Sequence, residues 1–180
     1  MPGFLNVDAR AGDEQVDLAA GNLPWDNGVF DVIVGQHVIE HFDLVSELIP
    51  LLRELRRVSK DGAEIWLSCP DMEKVCRSYV NGTLGQLIAD REKRLGDLDL
   101  GQAPDQHMVN FLFHQWGEHR NLFDFGLLKW ALEQTGFGSC TRTSEKQFLG
   151  RFPSFPPRKD DLQSLYVHAT AGIAEGMKPR

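Results

Sequence analysis

The sequence predicts an α/β fold, and three observations carry that prediction. Short apolar runs alternate with helix-spaced apolar residues through the first two-thirds of the chain, the pattern of strands and helices that share one sheet. The length, 180 residues, suits one domain. The composition, 42% hydrophobic and 25% charged, is that of a chain able to bury a core, with no repeat or low-complexity block.

Each element follows from its residues. Phe4-Leu5-Asn6-Val7-Asp8 reads as a short strand ending in an acid, and residues 15–18 as a second strand. Asp26-Asn27-Gly28 is a turn signal. Residues 29–34 follow it as a mostly apolar buried strand that stops at Gly35. From Leu44, apolar residues recur at Leu48, Leu51, Leu52 and Leu55, which is helix spacing, with Asp43 placed to cap its start. Pro50 lies inside this run and should kink the helix or mark its first turn. Ser59-Lys60-Asp61-Gly62 ends it, and residues 63–68 form the next strand, stopping at Cys69-Pro70-Asp71. Residues 72–79, 87–95 and 107–116 read as helices, separated by Asn81-Gly82 and by a loop at 96–105. The whole 72–122 block is long for a connection, so it is expected to carry structure on the acceptor side. Asp124 caps a further helix closed by Gly136, and residues 139–144 and 164–169 are the last strands. Residues 1–171 are therefore one domain and 172–180 a flexible tail.

Composition also excludes. Nineteen Lys and Arg against 26 Asp and Glu give a net charge of −7, which argues against a nucleic-acid-coating protein. No apolar run is long enough for a membrane span, and residues 1–10 do not form a secretory signal. The three cysteines, Cys69, Cys76 and Cys140, include no C-x-x-C pair and read as reduced thiols. These features point to a cytoplasmic protein with neither membrane nor nucleic-acid partner. His107, His114 and His119 lack the i, i+4 spacing of ligand pairs on one helix face, so no metal is expected.

Several ordered segments carry a resemblance: Asn6-Val7-Asp8; Leu23-Pro24-Trp25; Phe30-Asp31-Val32-Ile33-Val34; His37-Val38-Ile39-Glu40-His41; Arg56-Arg57-Val58-Ser59-Lys60-Asp61-Gly62; and Pro70-Asp71. In this order they resemble the class I S-adenosylmethionine-dependent methyltransferases of the type 11 group. The likeness is strongest over residues 2–75. It implies a Rossmann-like sheet with helices on both faces, in the strand order 3-2-1-4-5-7-6. It also implies methyl transfer from S-adenosylmethionine, with S-adenosylhomocysteine as product, to a small-molecule or glycan-like acceptor. A nucleotide-dependent oxidoreductase would need a G-x-G-x-x-G after a first strand, and the chain carries none.

The resemblance implies site residues. Asp8 corresponds to the acid that accepts the ribose hydroxyls. Asn22 and Leu23 fall in the adenine-contacting loop, although Ala19 stands where relatives carry Asp. Gln36 and His37 follow a strand at its carboxyl end, where ligands of open parallel sheets sit, and are assigned to the cofactor. His41, and with it His37, is the candidate general base, because an imidazole titrates near neutrality. Methyl transfer is otherwise a matter of in-line positioning.

One departure is expected to matter. The family's first strand and glycine-rich loop precede the strand that holds the Asp8 equivalent, and this sequence starts at Met1-Pro2-Gly3, past that place. Two readings compete: a coding start that lies upstream, which is preferred, or a short chain that is non-catalytic or completed by another copy. The second implies a gap in the sheet beside residues 30–34, and with it disorder of residues 1–25, a rearranged strand order, or a homodimer that exchanges strands.

Overall fold

The computed structural model describes residues 3–96 and 103–172. The expected tail lies almost wholly outside these residues, as does the centre of the 96–105 loop. Among the described residues the core is a four-stranded sheet of β3 (Phe30–Gln36), β4 (Ser59–Pro70), β5 (Phe137–Thr143) and β6 (Ser164–Ala171), in the order β3-β4-β6-β5. β3 runs parallel to β4, and β6 is antiparallel to both of its neighbours. This is the 4-5-7-6 half of the order that the resemblance implies. β1 (Val7–Asp8) and β2 (Glu14–Gln15) form a separate parallel pair. No ladder joins β1 to β3 among the described residues, so β3 is an edge of the sheet.

Helices cover both faces. On one, α1 (Ile49–Val58) and α5 (Phe125–Gln134) bury Leu52, Leu128, Ala131 and Leu132 against Ile65, Leu67, Val167 and Ala169. On the other, α6 (Glu145–Arg151) and the loop after it set Phe148 and Phe152 against Val32, Val34, Trp66 and Tyr166. Phe4 reaches this second face and meets Phe152 and Phe155 edge-on, at 5.8 and 5.1 Å. The strand alternation that sends Ile65 and Leu67 one way sends Trp66 the other. Residues 16–25 wrap the outer side of α1, where Leu23 packs on Leu51 and Val58. Arg57 fastens that wrap, donating to the Leu23 and Trp25 carbonyls at 3.0 and 2.8 Å.

The helix starts are chemically legible. The Asp43 carboxylate accepts from the Val45 and Ser46 amides, and residues 44–48 form a π-turn before Pro50 enters the first turn of α1. Proline is tolerated there because its absent N–H would have had no partner. α2 (Met72–Val80), α3 (Leu84–Leu95) and α4 (His107–His114) gather Val75, Leu87, Met108 and Leu112 into a small core of their own.

Three expectations need correction. The first strand is only two residues long. β4 begins at Ser59 rather than 63, with Gly62 in left-handed backbone (φ 76°) inside it instead of ending the helix. Residues 145–151, between the last two strands, are a helix that the sequence reading left unassigned. Ser144 caps it by accepting from the Gln147 amide.

Candidate functional site

The carboxyl ends of β3 and β4 and the amino end of β6 open on the same side. There a cleft of about 210 Å³ is lined by His37, Glu40, His41, Arg91, Arg94, His119, Arg158 and Gln163, among others. This is the end of an open parallel sheet at which ligands bind.

His37 is the first residue after β3. Its amide donates to the Ser68 carbonyl at 2.8 Å, and its backbone is left-handed (φ 54°), a conformation that costs a non-glycine residue energy and concentrates at functional turns. The ring sits between two buried acids. Nε2 lies 3.0 Å from Asp160 Oδ2, and Nδ1 lies 3.1 Å from Glu40 Oε1. Burial disfavours its charge, but the Asp160 and Glu40 carboxylates outweigh burial and hold the His37 pKa above its ordinary value. Both ring nitrogens of His37 face carboxylates, so neither is directed at an acceptor in the cleft. Asp160 is a hub: Tyr166 donates to it at 2.6 Å and Arg158 Nε at 3.0 Å. Burial opposes its ionisation, yet these donors hold the Asp160 carboxyl well below the usual carboxylate range.

The turn Ile39–His41 carries Glu40 and His41 into the cleft. The segment after α4 is latched onto it: the Arg120 and Asn121 amides donate to the Glu40 carbonyl at 2.8 and 3.1 Å, and Arg120 pairs with Glu47 at 2.6 Å. That latch brings His119 beside His41, with ring centroids 5.0 Å apart and planes at 72°. His41 Nδ1 faces the Glu118 carbonyl at 3.1 Å and His119 Nδ1 the Leu112 carbonyl at 2.6 Å. A carbonyl only accepts, so both Nδ1 atoms carry a proton, and in the neutral tautomer the lone pair is on Nε2. Burial holds the His119 pKa below its ordinary value. One potential ligand atom from each of Glu40, His41 and His119 lies within 4.8 Å of the others.

Arginines also line the cleft. Arg91 is 8% exposed; it donates to Gln163 Oε1 at 3.2 Å and stacks over Phe111 at 5.1 Å. Burial, and then the neighbouring Arg94 and Arg158 cations, push its pKa down. Arg91 Nε and Arg94 Nη2 are buried without a hydrogen-bond partner among the described residues. Such donors are normally satisfied in native proteins.

Of the sequence candidates, the structure brings His37 and His41 into this cleft and leaves Asp8, Asn22, Leu23 and Gln36 outside its lining. Asp8 is exposed; its Oδ1 accepts from the Arg10 and Ala11 amides, an interaction that lowers its pKa. Its Oδ2 has no partner among the described residues, so the carboxylate can still accept from a ribose. The exposed Asn22 amide and the Gln36 side chain are likewise uncommitted among them. Leu23 does not suit a cofactor contact: its side chain is core, its N–H donates to Glu54 at 2.9 Å, and Arg57 occupies its carbonyl. Asp71 is buried and caps α2. His119 belongs to a His-Arg pair that resembles one near the acceptor in relatives, whereas Arg91, Arg94, Arg158 and Asp160 are not among the sequence candidates. The only sequence signals are that pair and basic residues on a helix, and both patterns are common at surfaces.

Comparison with known proteins agrees with this architecture. Residues 2–67 match the family described as methyltransferase domain. No curated protein matches the chain. Among solved structures, the S-adenosylmethionine-dependent methyltransferase SibL in its apo form shares 12% identity at a TM-score of 0.50, covering 89% of this chain and 35% of its own. A SAM-dependent methyltransferase from Aquifex aeolicus shares 12% identity at a TM-score of 0.45, covering 88% of this chain and 53% of its own. The chain thus spans between about a third and a half of these relatives. Residues 2–67 are thus similar to the methyltransferase domain family, and the sheet has a Rossmann-like α/β arrangement.

Proposed function

We propose that the chain serves methyl transfer from S-adenosylmethionine, and that the cleft beyond β3 and β4 receives the acceptor. The observation that supports this reading is the position of that cleft at the carboxyl ends of β3 and β4, where His37, Glu40 and His41, which fall within the span similar to the methyltransferase domain family, form part of its lining. When bound, the cofactor supplies an electrophilic methyl group. The residues of this chain bind and orient what receives it. Asp8, Asn22 and Gln36 are the side chains free to hold the cofactor.

Two groups of residues in the cleft differ in chemistry. Glu40, His41 and His119 bring acceptor atoms together, which suits the reacting hydroxyl or amine. Arg91 and Arg94 bring donors that lack partners among the described residues, and Arg158 adds a further cation, which suits a carboxylate or phosphate. An acidic small molecule or an acidic sugar of a glycan meets both demands. The test is transfer of labelled methyl from the cofactor to a panel of acidic and neutral sugars and small acids. Labelling of acidic acceptors, with Arg91→Gln raising acceptor KM and leaving cofactor affinity unchanged, supports the reading. Labelling of neutral acceptors alone, or an unchanged KM in the variant, overturns the acidic assignment.

A further inference from the structure

We infer that Glu40, His41 and His119 form a binding site for one divalent transition-metal cation at the floor of the cleft. Glu40 is 0% exposed, and neither carboxylate oxygen has a hydrogen bond. Its closest approach, 3.1 Å to His37 Nδ1, is too poorly aligned to count as one. A buried carboxylate left so incompletely satisfied calls for a further partner.

The two imidazoles show the arrangement that metal ligands adopt. In each, Nδ1–H is spent on a backbone carbonyl, of Glu118 for His41 and of Leu112 for His119. Such bonds fix ring orientation and tautomer and leave Nε2 to the metal. Glu40 has a matching support: with Oε1 3.1 Å from His37 Nδ1, Oε2 is left for the ion. The ligand atoms already lie within 4.8 Å of one another. Two atoms bonded to one ion at about 2.0–2.1 Å stand at most about 4.2 Å apart, so the three residues are close to the spacing a shared ion requires. The latch of the Arg120 and Asn121 amides onto the Glu40 carbonyl keeps the two contributing segments together.

The donor set selects the ion. Two imidazoles and one carboxylate match zinc sites that keep an open position, and also suit iron(II), cobalt(II) and manganese(II). They do not match the all-oxygen shells of calcium or magnesium. Glu40, His41 and His119 all line the cleft, so an ion held by them would be open to a ligand there. On the reading of the cleft as an acceptor site, which this further role assumes, the acceptor oxygen would ligate there and lose its proton more readily.

The test is metal binding by the intact chain, which does not depend on methyl transfer. Protein stripped with a chelator is titrated with zinc by calorimetry and with cobalt by absorption. The expected result is one ion per chain with micromolar or tighter affinity, weakened at least about tenfold in each of Glu40→Gln, His41→Ala and His119→Ala. His107→Ala, an exposed histidine outside the cluster, should bind as the parent does. X-ray absorption of the cobalt-loaded parent protein should show imidazole ligation, so the ligand set is read even where a variant folds poorly. No stoichiometric binding, or binding indifferent to all three variants, overturns the proposal. If metal binds and no acceptor is methylated, the reading of the cleft fails and the metal site stands.

Discussion

Asp160→Asn tests whether the acid hub holds the cleft together. Asp160 is fully buried and accepts from Tyr166, Arg158 and the His37 ring. Asparagine keeps the shape and one acceptor, but its amide group must face one of these donors in either orientation. Two charged hydrogen bonds are weakened or lost, each worth about 1.5–3 kcal/mol, and His37 and Arg158 are left close together without their counter-charge. Breaking a buried pair costs about 3–5 kcal/mol, which for a domain of this size lowers Tm by about 6–20 °C. The sign with pH follows from the lowered Asp160 pKa. The native state binds fewer protons than the unfolded chain, so this stabilisation is present above the unfolded value of 3.8 and is lost as pH falls towards the native one. Urea unfolding at pH 7 and at pH 3 reads both effects. The gap between parent and variant should be several kcal/mol at pH 7 and should narrow at pH 3. A variant within about 1 kcal/mol of the parent at pH 7 would refute the hub.

Other outcomes follow from the same contacts. Leu52→Ala, in the fully buried core beneath α1, should cost about 2–5 kcal/mol in urea unfolding. Asp31→Asn, at an exposed ion pair with Lys60 (2.7 Å), should change stability by less than about 1 kcal/mol. Arg57→Ala should speed amide exchange across residues 22–29 while leaving the β4–β6 ladder protected, because Arg57 ties down the Leu23 and Trp25 carbonyls. Sedimentation should resolve whether β3, an unpaired edge among the described residues, pairs with a second copy.

The periodic elements were legible in the sequence, and the reasons are local. Asp43 and Asp124 mark helix starts by their own side-chain bonds. The apolar run at residues 29–34 and the pattern from Leu44 to Leu55 reflect burial on the two sides of one sheet. What failed was non-local or weakly patterned. α6 has only seven residues, too few for its periodicity to declare itself. Half of the site was legible. His37 and His41 follow a strand end and so fall beside the cleft, whereas His119 arrives there through backbone bonds to Glu40 that no spacing encodes. Leu23 was misread because its place in the loop says nothing of the partners, Glu54 and Arg57, that claim its polar groups.

The most direct test of the account is a calorimetric titration of S-adenosylhomocysteine into the 180-residue chain, repeated with Asp8→Ala. The account predicts a Kd on the order of micromolar for the parent. In the variant, the loss of a carboxylate that accepts from a ribose should weaken binding by about 10–100-fold. Absence of binding by the parent, or equal affinity in the variant, would contradict the assignment of cofactor and site.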